Sequence, residues 1–86
     1  MKSVRFSNHA REEIARRGIP IEVVEQVLSN PEQEVPEHGG LTARQSRVEI
    51  GGRQYLVRVV VAEQPDVVMV VTAYRTSRVG RYWRSK

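Results

Sequence analysis

The spacing of apolar residues changes abruptly at Asn30-Pro31, and this change constrains the fold more than any other feature of the chain. Before it, Val24, Val27 and Leu28 recur at helical spacing. After it, apolar and polar residues alternate in several short runs, as they do in strands that bury one face. The sequence therefore predicts an N-terminal helical part followed by a sheet.

Turn and cap signals divide the chain into elements, and none of them separates two domains. Gly51-Gly52 is typical of a tight hairpin, and Gln64-Pro65-Asp66 of a further turn. We expect a single α+β domain over residues 1–86, in which two helices cover one face of a mainly antiparallel sheet of four to five strands. The predicted order is a strand Val4 to Phe6, a helix capped by Ser7 or Asn8 and stopped by Gly18, a helix from about Pro20 to Asn30, an edge strand Glu32 to Glu37, strands Leu41 to Ile50, Arg53 to Glu63 and Val67 to Tyr74, and a short basic tail.

The two apolar strands near the C-terminus each have two distinguishable faces. In the strand from Arg53, the alternation leaves Arg58 in the centre of an otherwise apolar run, which periodicity does not explain. In the following strand, the alternation does not indicate which set faces the helices. The sets are Tyr55, Val57, Val59 and Val61 (predicted core) against Leu56, Arg58 and Val60, and then Val68, Val70, Thr72 and Tyr74 against Val67, Met69, Val71, Ala73 and Arg75.

Composition excludes several classes of function. The chain has no cysteine, so it has neither disulfides nor thiolate chemistry. Two distant histidines and no clustered carboxylates give a metal site little support, and no cofactor motif is present. The longest apolar run, Val67 to Val71, is too short to cross a bilayer, and the N-terminus lacks the apolar stretch of a signal peptide. We expect a cytoplasmic protein without metal or cofactor.

Charge is distributed unevenly along the chain. Residues 1–38 contain five basic and seven acidic side chains, whereas residues 39–86 contain nine basic and three acidic ones. The last fifteen residues, 72–86, contain five basic side chains and three aromatic rings without an acid. This asymmetry favours an anionic partner for the C-terminal half, either nucleic acid or an acidic protein segment, although a solvated surface would have the same composition.

Two stretches resemble a known family. Residues 9–32, HAREEIARRGIPIEVVEQVLSNPE, resemble the opening of a bacterial family described as a domain of unknown function, and RQYLVRVVV with VVMVVTAYRTSRVGRYW resembles its closing hairpin. The chain is also similar, more distantly, to BrnT-like toxins of the RelE/ParE superfamily. This second resemblance implies a toxin of a type II toxin-antitoxin pair that cleaves RNA, alone or on the ribosome, and that a cognate antitoxin neutralises.

Cleavage of RNA without a metal requires a proton acceptor, a proton donor and positive charge on the phosphate. His9, at the start of a helix, is the candidate proton carrier, although it would serve equally as a cap or packing residue. Arg58 and Arg75 are candidates for phosphate binding. For Arg58 the alternative is a salt bridge to an acid of a neighbouring strand, such as Glu49. Tyr74 is a candidate to stack on a base or hold a proton, and a core anchor is the better interpretation of it.

The basic tail and two strand arginines are the candidate RNA-binding surface. Arginines can bind phosphates while aromatic rings stack on bases, a combination suited to single-stranded RNA. Alternatively, Val79, Tyr82 and Trp83 fold back over the core at i, i+3, i+4 spacing, and the two roles are compatible. His38, beside Gly39-Gly40, is expected in a solvated turn. The candidates for RNA binding are Arg47, Arg53, Arg78, Arg81, Tyr82, Trp83 and Arg84, with Lys86 as a further cation of the tail.

Three functions remain open on the sequence. The first is a metal-independent endoribonuclease toxin acting through attack of the RNA 2′-OH. The second is a non-catalytic module that binds RNA or an acidic protein, and the third is inhibition of a protein target such as gyrase. At 86 residues the chain buries only about 60% of the surface of its unfolded state, so an antitoxin or a second copy would add stability.

Overall fold

The computed structural model describes residues 2–85 and contains five strands and three helices. The α+β class predicted from the sequence is confirmed. A 3-10 turn at His38–Gly40 separates the second strand from the third. The elements are β1 (Ser3–Phe6), α1 (Asn8–Arg16), α2 (Ile21–Ser29), β2 (Gln33–Pro36), β3 (Thr42–Ile50), β4 (Arg53–Glu63), β5 (Val67–Thr76) and α3 (Val79–Tyr82).

The five strands form one mixed sheet in the order β1-β5-β4-β3-β2. Strand β1 pairs with β5 in parallel, and the three other pairings are antiparallel. The hairpin between β3 and β4 turns on Gly51 and Gly52, whose φ angles of 60° and 83° suit a two-residue turn that favours glycine. Strand β4 therefore lies at the centre of the sheet, with β5 on one side and β3 on the other.

The two long helices begin and end where their cap residues predict. The Ser7 side chain accepts a hydrogen bond from the backbone N–H of Ala10, which makes it the N-cap of α1. Gly18 follows this helix with a φ of 65°, in the left-handed region that glycine adopts at helix ends. Pro20 precedes α2 and contributes only its backbone carbonyl, which accepts from the N–H groups of Val23 and Val24.

The main core lies between these helices and the sheet. Val57, Val59 and Val61 of β4 are fully buried in it, as the alternation along this strand predicts. Tyr55, the fourth residue of the predicted set, is only half-buried. Alternate residues of one strand share a face of the sheet, so the core defines a helix-covered face. Its other buried members are Ala10, Ile14, Ile19, Val24, Val27, Leu28, Val68, Val70 and Ala73.

The prediction of unbroken alternation along β5 is wrong, because the strand contains a bulge. Val61 is opposite Val70, whereas Val60 is opposite Thr72, which leaves Val71 as an extra residue. The bulge exchanges the two faces for the rest of the strand. Val68, Val70 and Ala73 therefore lie in the core, and Thr72 and Tyr74 lie on the opposite face with Val60 and Arg58.

The second face of the sheet is also partly covered. Leu56, Arg58 and Val60 of β4 are buried there, together with Gln45 of β3 and Val35 of β2. Much of the cover is the C-terminal segment, defined here as residues 77–85, which includes α3 and folds back across this face. The segment has the basic composition of the predicted tail, and α3 agrees with the alternative in which Val79, Tyr82 and Trp83 fold back at helical spacing.

Candidate functional site

Arg58 lies at the middle of the central strand with its side chain on the second face of the sheet. Only 3% of the residue is exposed to solvent, and its guanidinium donates three hydrogen bonds. Its Nε donates to Gln45 Oε1 at 2.7 Å, and Nη1 donates to the hydroxyl of Tyr74. Its Nη2 donates to Glu37 Oε2 at 2.9 Å, which forms an ion pair. A buried charge of this kind needs such partners, because desolvation alone is costly.

Strand register positions each of these partners. Gln45 of β3 and Tyr74 of β5 are directly opposite Arg58 in the two flanking strands. Glu37 follows β2 directly and is two residues beyond Val35, which lies on the same face. The expected acidic partner of Arg58, Glu49, instead pairs in register with Gln54, away from the guanidinium. The salt bridge considered as an alternative for Arg58 is thus present, but with a different carboxylate.

Two tyrosine rings enclose the same guanidinium. Cζ of Arg58 lies 4.7 Å from the ring centroid of Tyr82 and 5.7 Å from that of Tyr74. The two rings meet edge to face, with centroids 6.1 Å apart and an interplanar angle of 67°. Burial lowers the pKa of Arg58, but the hydrogen bonds to Glu37 and Tyr74 outweigh it and raise the pKa above its ordinary value. The group is therefore a fixed positive charge.

Two glutamines attach the C-terminal segment to this cluster. Gln45 Nε2 donates to the backbone carbonyl of Tyr82 at 3.2 Å and to Gln33 Oε1 at 2.8 Å. Gln33 in turn donates to the carbonyl of Arg84 at 2.7 Å and accepts from its N–H at 3.1 Å. Gln45 thus contacts both the guanidinium of Arg58 and the segment that covers it.

A second stacked pair lies beside the cluster. Cζ of Arg47 is 4.1 Å from the ring of Trp83, and its guanidinium is paired with Glu32 at 3.2 Å. The hydrogen bonds between Arg47 and Glu32 lower the pKa of the carboxyl and raise that of the guanidinium. Trp83 is half-buried in this position, so it has the packing role considered for it, while Arg47 remains largely exposed.

The structure does not bring the four predicted catalytic residues together. Arg58 and Tyr74 are in contact. His9 is exposed on α1, which packs on the helix-covered face. Arg75 is opposite Val57 in register, so it also lies on the helix-covered face, where its Cζ is 4.6 Å from the ring of Tyr55. The pair on the second face is thus separated by the sheet from the other two.

The predicted RNA-binding residues are distributed over three places. In the C-terminal segment, Arg78, Arg81 and Arg84 are exposed, while Tyr82 and Trp83 are half-buried. Arg47 lies next to them, on β3. Arg53 is exposed at the start of β4, with its Cζ 5.8 Å from the Tyr55 ring. Lys86 lies outside the described residues.

Sequence reasoning missed two members of the cluster, Glu37 and Gln45. The sequence contains a weak local signal for each of them. Glu37 continues the alternation of Val35, and Gln45 is a polar residue inside β3, three residues after its start. Their contact with Arg58 depends on the register of three strands, which the spacing of residues within one strand does not fix.

Neither a metal centre nor a membrane span is found in the part of the chain that the structure describes. Among residues 2–85, no three His, Asp or Glu side chains are grouped so that they could hold a metal ion. Over the same residues, no helix has the length and apolar character needed to cross a bilayer.

Comparison with known families identifies the domain. The model of a domain of unknown function, DUF4258, matches residues 6–75. The chain belongs to the DUF4258 family. The predicted resemblance to a family of this kind is confirmed, and the match extends from the end of β1 to the last residues of β5. Neither curated proteins nor solved structures give a significant match. The C-terminal segment lies entirely beyond the part of this DUF4258 domain that the family model matches.

Proposed function

We propose that this DUF4258 domain is a metal-independent endoribonuclease, acting as the toxin of a type II toxin-antitoxin pair. The observation that supports this most is the environment of Arg58, where one buried guanidinium is hydrogen-bonded to a carboxylate and to a phenolic hydroxyl. These are the three kinds of group that cleavage of RNA by its own 2′-OH requires. All of them lie on one face of the sheet.

Each group has a role that suits its environment. The carboxylate of Glu37, whose side chain is 31% exposed, accepts the proton of the 2′-OH. The 2′ oxygen then attacks phosphorus and forms a 2′,3′-cyclic phosphate as the bond to the 5′ oxygen breaks. Tyr74 donates its hydroxyl proton to the departing 5′ oxygen, and Arg58 stabilises the added negative charge on the phosphate. His9 has no part in this arrangement.

The toxin assignment rests on resemblance and on charge. The α+β class with one five-stranded mixed sheet is compatible with the resemblance to BrnT-like and RelE-like toxins. The exposed Arg78, Arg81 and Arg84 supply positive charge for RNA, free or on the ribosome, and for an acidic antitoxin. A homo-oligomer is compatible with the same surface.

A non-catalytic RNA-binding module is the second candidate, and the covering of Arg58 favours it. The guanidinium is closed off by Tyr82, and its three hydrogen bonds go to other side chains. A cluster of this kind can be purely structural, while the exposed arginines of the C-terminal segment bind phosphates. This candidate predicts saturable binding that weakens as salt rises, with no product formed.

The test is cleavage of a defined single-stranded RNA by the purified chain in the presence of a chelator. We expect Glu37→Gln and Tyr74→Phe to abolish cleavage while both variants remain folded at the assay temperature by circular dichroism, although loss of the ion pair with Arg58 lowers the Tm of Glu37→Gln. His9→Ala is the matched comparison, because it removes the proton carrier predicted from the sequence and leaves the Arg58 cluster intact.

The outcomes separate the candidates. Loss of cleavage in Glu37→Gln and Tyr74→Phe alone supports the site on the second face. Loss in His9→Ala alone refutes that site and favours one near the start of α1. Intact RNA with every protein, together with salt-sensitive binding, refutes the nuclease and supports the binding module.

A further inference from the structure

The guanidinium of Arg58 is closed to a phosphate in this structure. The side chain is buried beneath the Tyr82 ring, 4.7 Å from Cζ, and its partners occupy the plane of the group. A phosphodiester that is to be held by this arginine needs access to at least one edge of the guanidinium. Of the groups that deny access, the Tyr82 ring belongs to the C-terminal segment, whereas the hydrogen-bond partners belong to the sheet and to Glu37.

This segment is attached by a small number of contacts. Its polar contacts to the sheet are those of Tyr82 and Arg84 with the two glutamines and of the Arg78 N–H with Thr76 Oγ1, and its aromatic contacts are those of Tyr82 with Arg58 and Tyr74 and of Trp83 with Arg47. Helix α3 has only four residues, and none of them is fully buried. Segments with few buried apolar contacts open at a low free energy relative to global unfolding.

Two further observations distinguish the segment from the domain beneath it. The family match ends at residue 75, one residue before the end of β5, so the cover lies outside the matched part of the domain. Arg78, Arg81 and Arg84 are exposed on it, and residues 77–85 contain no acid. An anionic strand that approaches this face therefore meets the cover before it meets Arg58.

We propose that residues 78–84 form a hinged cover over Arg58, which swings away from the end of β5 when a phosphodiester strand binds its arginines. The inference rests on the proposed function, since it concerns access to the same site. In the closed state Tyr82 shields the guanidinium and stabilises it by a cation–π contact. In the open state the face that Tyr82 covered is exposed, a phosphate reaches the guanidinium and competes with Glu37 for Nη2, and the cover holds the strand above it.

The test measures accessibility of Arg58 without RNA. The full-length protein is treated with phenylglyoxal, which modifies accessible guanidinium groups, and the rate at Arg58 is read by peptide mass spectrometry. The exposed Arg5 is the internal reference. We expect slow modification of Arg58 in the wild type, and a rate roughly tenfold higher in Tyr82→Ala, the effect of losing a desolvated cation–π contact.

Matched variants identify the cause of any change. Tyr82→Phe keeps the ring and is expected to behave as the wild type, as is Arg78→Ala, which alters an exposed side chain of the same segment. Gln33→Ala removes both hydrogen bonds to Arg84 and is expected to raise the rate at Arg58. Gln33→Ala serves as the test of the cover if Tyr82→Ala fails to fold. Modification of Arg58 as fast as that of Arg5 in the wild type, or unchanged protection of Arg58 in folded Tyr82→Ala and Gln33→Ala, would contradict the proposed cover.

Opening by a ligand is tested with an oligodeoxynucleotide, which binds through its phosphates but lacks the 2′-OH. In the closed state the N–H of Arg84 donates to Gln33 of β2, whereas that of Trp83 donates to Val79 within the cover. We expect the Arg84 amide to exchange with solvent faster in the complex, and the Trp83 amide serves as the reference within the cover. Unchanged or slower exchange at Arg84 would contradict opening by the strand. A protein that shows the cover in the phenylglyoxal test but cleaves no RNA would refute the proposed function and leave the cover standing.

Discussion

Replacement of Arg58 by methionine tests whether the cluster on the second face also holds the fold together. Methionine has a similar length and fills much of the space, so the main effect is loss of the charge and of three hydrogen bonds. The substitution leaves Gln45, which is completely buried, without a donor for its Oε1. It also leaves the carboxylate of Glu37 without its cation.

The expected loss of stability follows from these contacts. A buried acceptor that loses its donor costs about 1–3 kcal/mol. Removing one partner of a buried ion pair costs about 3–5 kcal/mol, and the 31% exposure of the Glu37 side chain places the total toward the lower end. The whole domain is expected to have a free energy of unfolding of about 5–15 kcal/mol, so this single change removes a large share of it.

The assay is urea unfolding followed by the fluorescence of Trp83, the only tryptophan, and by circular dichroism. A loss of 1 kcal/mol lowers the Tm of a domain of this size by about 4–8 °C, so a fall of at least about 12 °C is expected in a thermal scan. Arg47→Met is the matched control, because it removes an arginine from the same face whose side chain is 44% exposed. Its loss should be much smaller. Equal losses in the two variants would refute the argument that burial makes Arg58 special.

Two further predictions concern the pH dependence and the second face of the sheet. Hydrogen bonds from Arg16 and Arg17 lower the pKa of Glu13 from 4.5 to about 2, so the stability that this carboxylate contributes is present above pH 4.5 and is lost as the pH falls toward 2. Glu13→Gln should therefore lose less stability than the wild type between these pH values, as measured by urea unfolding at each pH. An identical pH dependence of the two proteins would contradict this assignment. Leu56 is completely buried on the second face, so Leu56→Ala should cost about 2–5 kcal/mol in the same assay, whereas a loss below about 1 kcal/mol would mean that this face is not a packed second core.

Local signals in the sequence were sufficient for the order of the elements and for most of their ends. Ser7, Gly18 and the Gly51-Gly52 pair act through contacts and backbone angles within a few residues, and each has its predicted role in the structure. The same local reasoning failed at Val71, because alternation assumes that every residue of a strand has a partner. A bulge depends on the neighbouring strand, which the pattern of one strand does not contain.

The candidate site shows the same limit. Alternation identified Arg58 as an exception within β4, and this residue is the centre of the cluster. The identity of its carboxylate was not predictable, since Glu37 precedes β3, Glu49 lies near the end of β3, and only the register distinguishes them. The grouping of His9 with Arg58 failed for a related reason. Sequence spacing does not indicate that a helix and a side chain lie on opposite faces of one sheet.

A comparison with Arg44, a second arginine whose side chain is largely buried, explains why we propose the chemistry at Arg58. Arg44 of β3 lies on the helix-covered face, where its guanidinium donates to the carbonyl of Leu28 at 2.8 Å, near the C-terminus of α2. It is also paired with two carboxylates, those of Glu34 and Glu63. A cation at a helix C-terminus that pairs with Glu34 and with Glu63, which also binds Lys2, has a structural role in this charge cluster.

The environment of Arg58 is different in charge and in composition. It has one carboxylate, and its other contacts are an amide, a phenolic hydroxyl and two aromatic rings. Before the reaction, the carboxylate of Glu37 balances the charge of Arg58. When Glu37 takes up a proton from the substrate in the proposed reaction, the guanidinium has an unpaired positive charge close to the phosphate. Protonation of Glu37 would therefore strengthen the electrostatic attraction of Arg58 for a phosphate at the moment when negative charge accumulates there. Arg44, with two carboxylates and a helix end, has no such coupling, and this contrast places the proposed chemistry on the second face of the sheet.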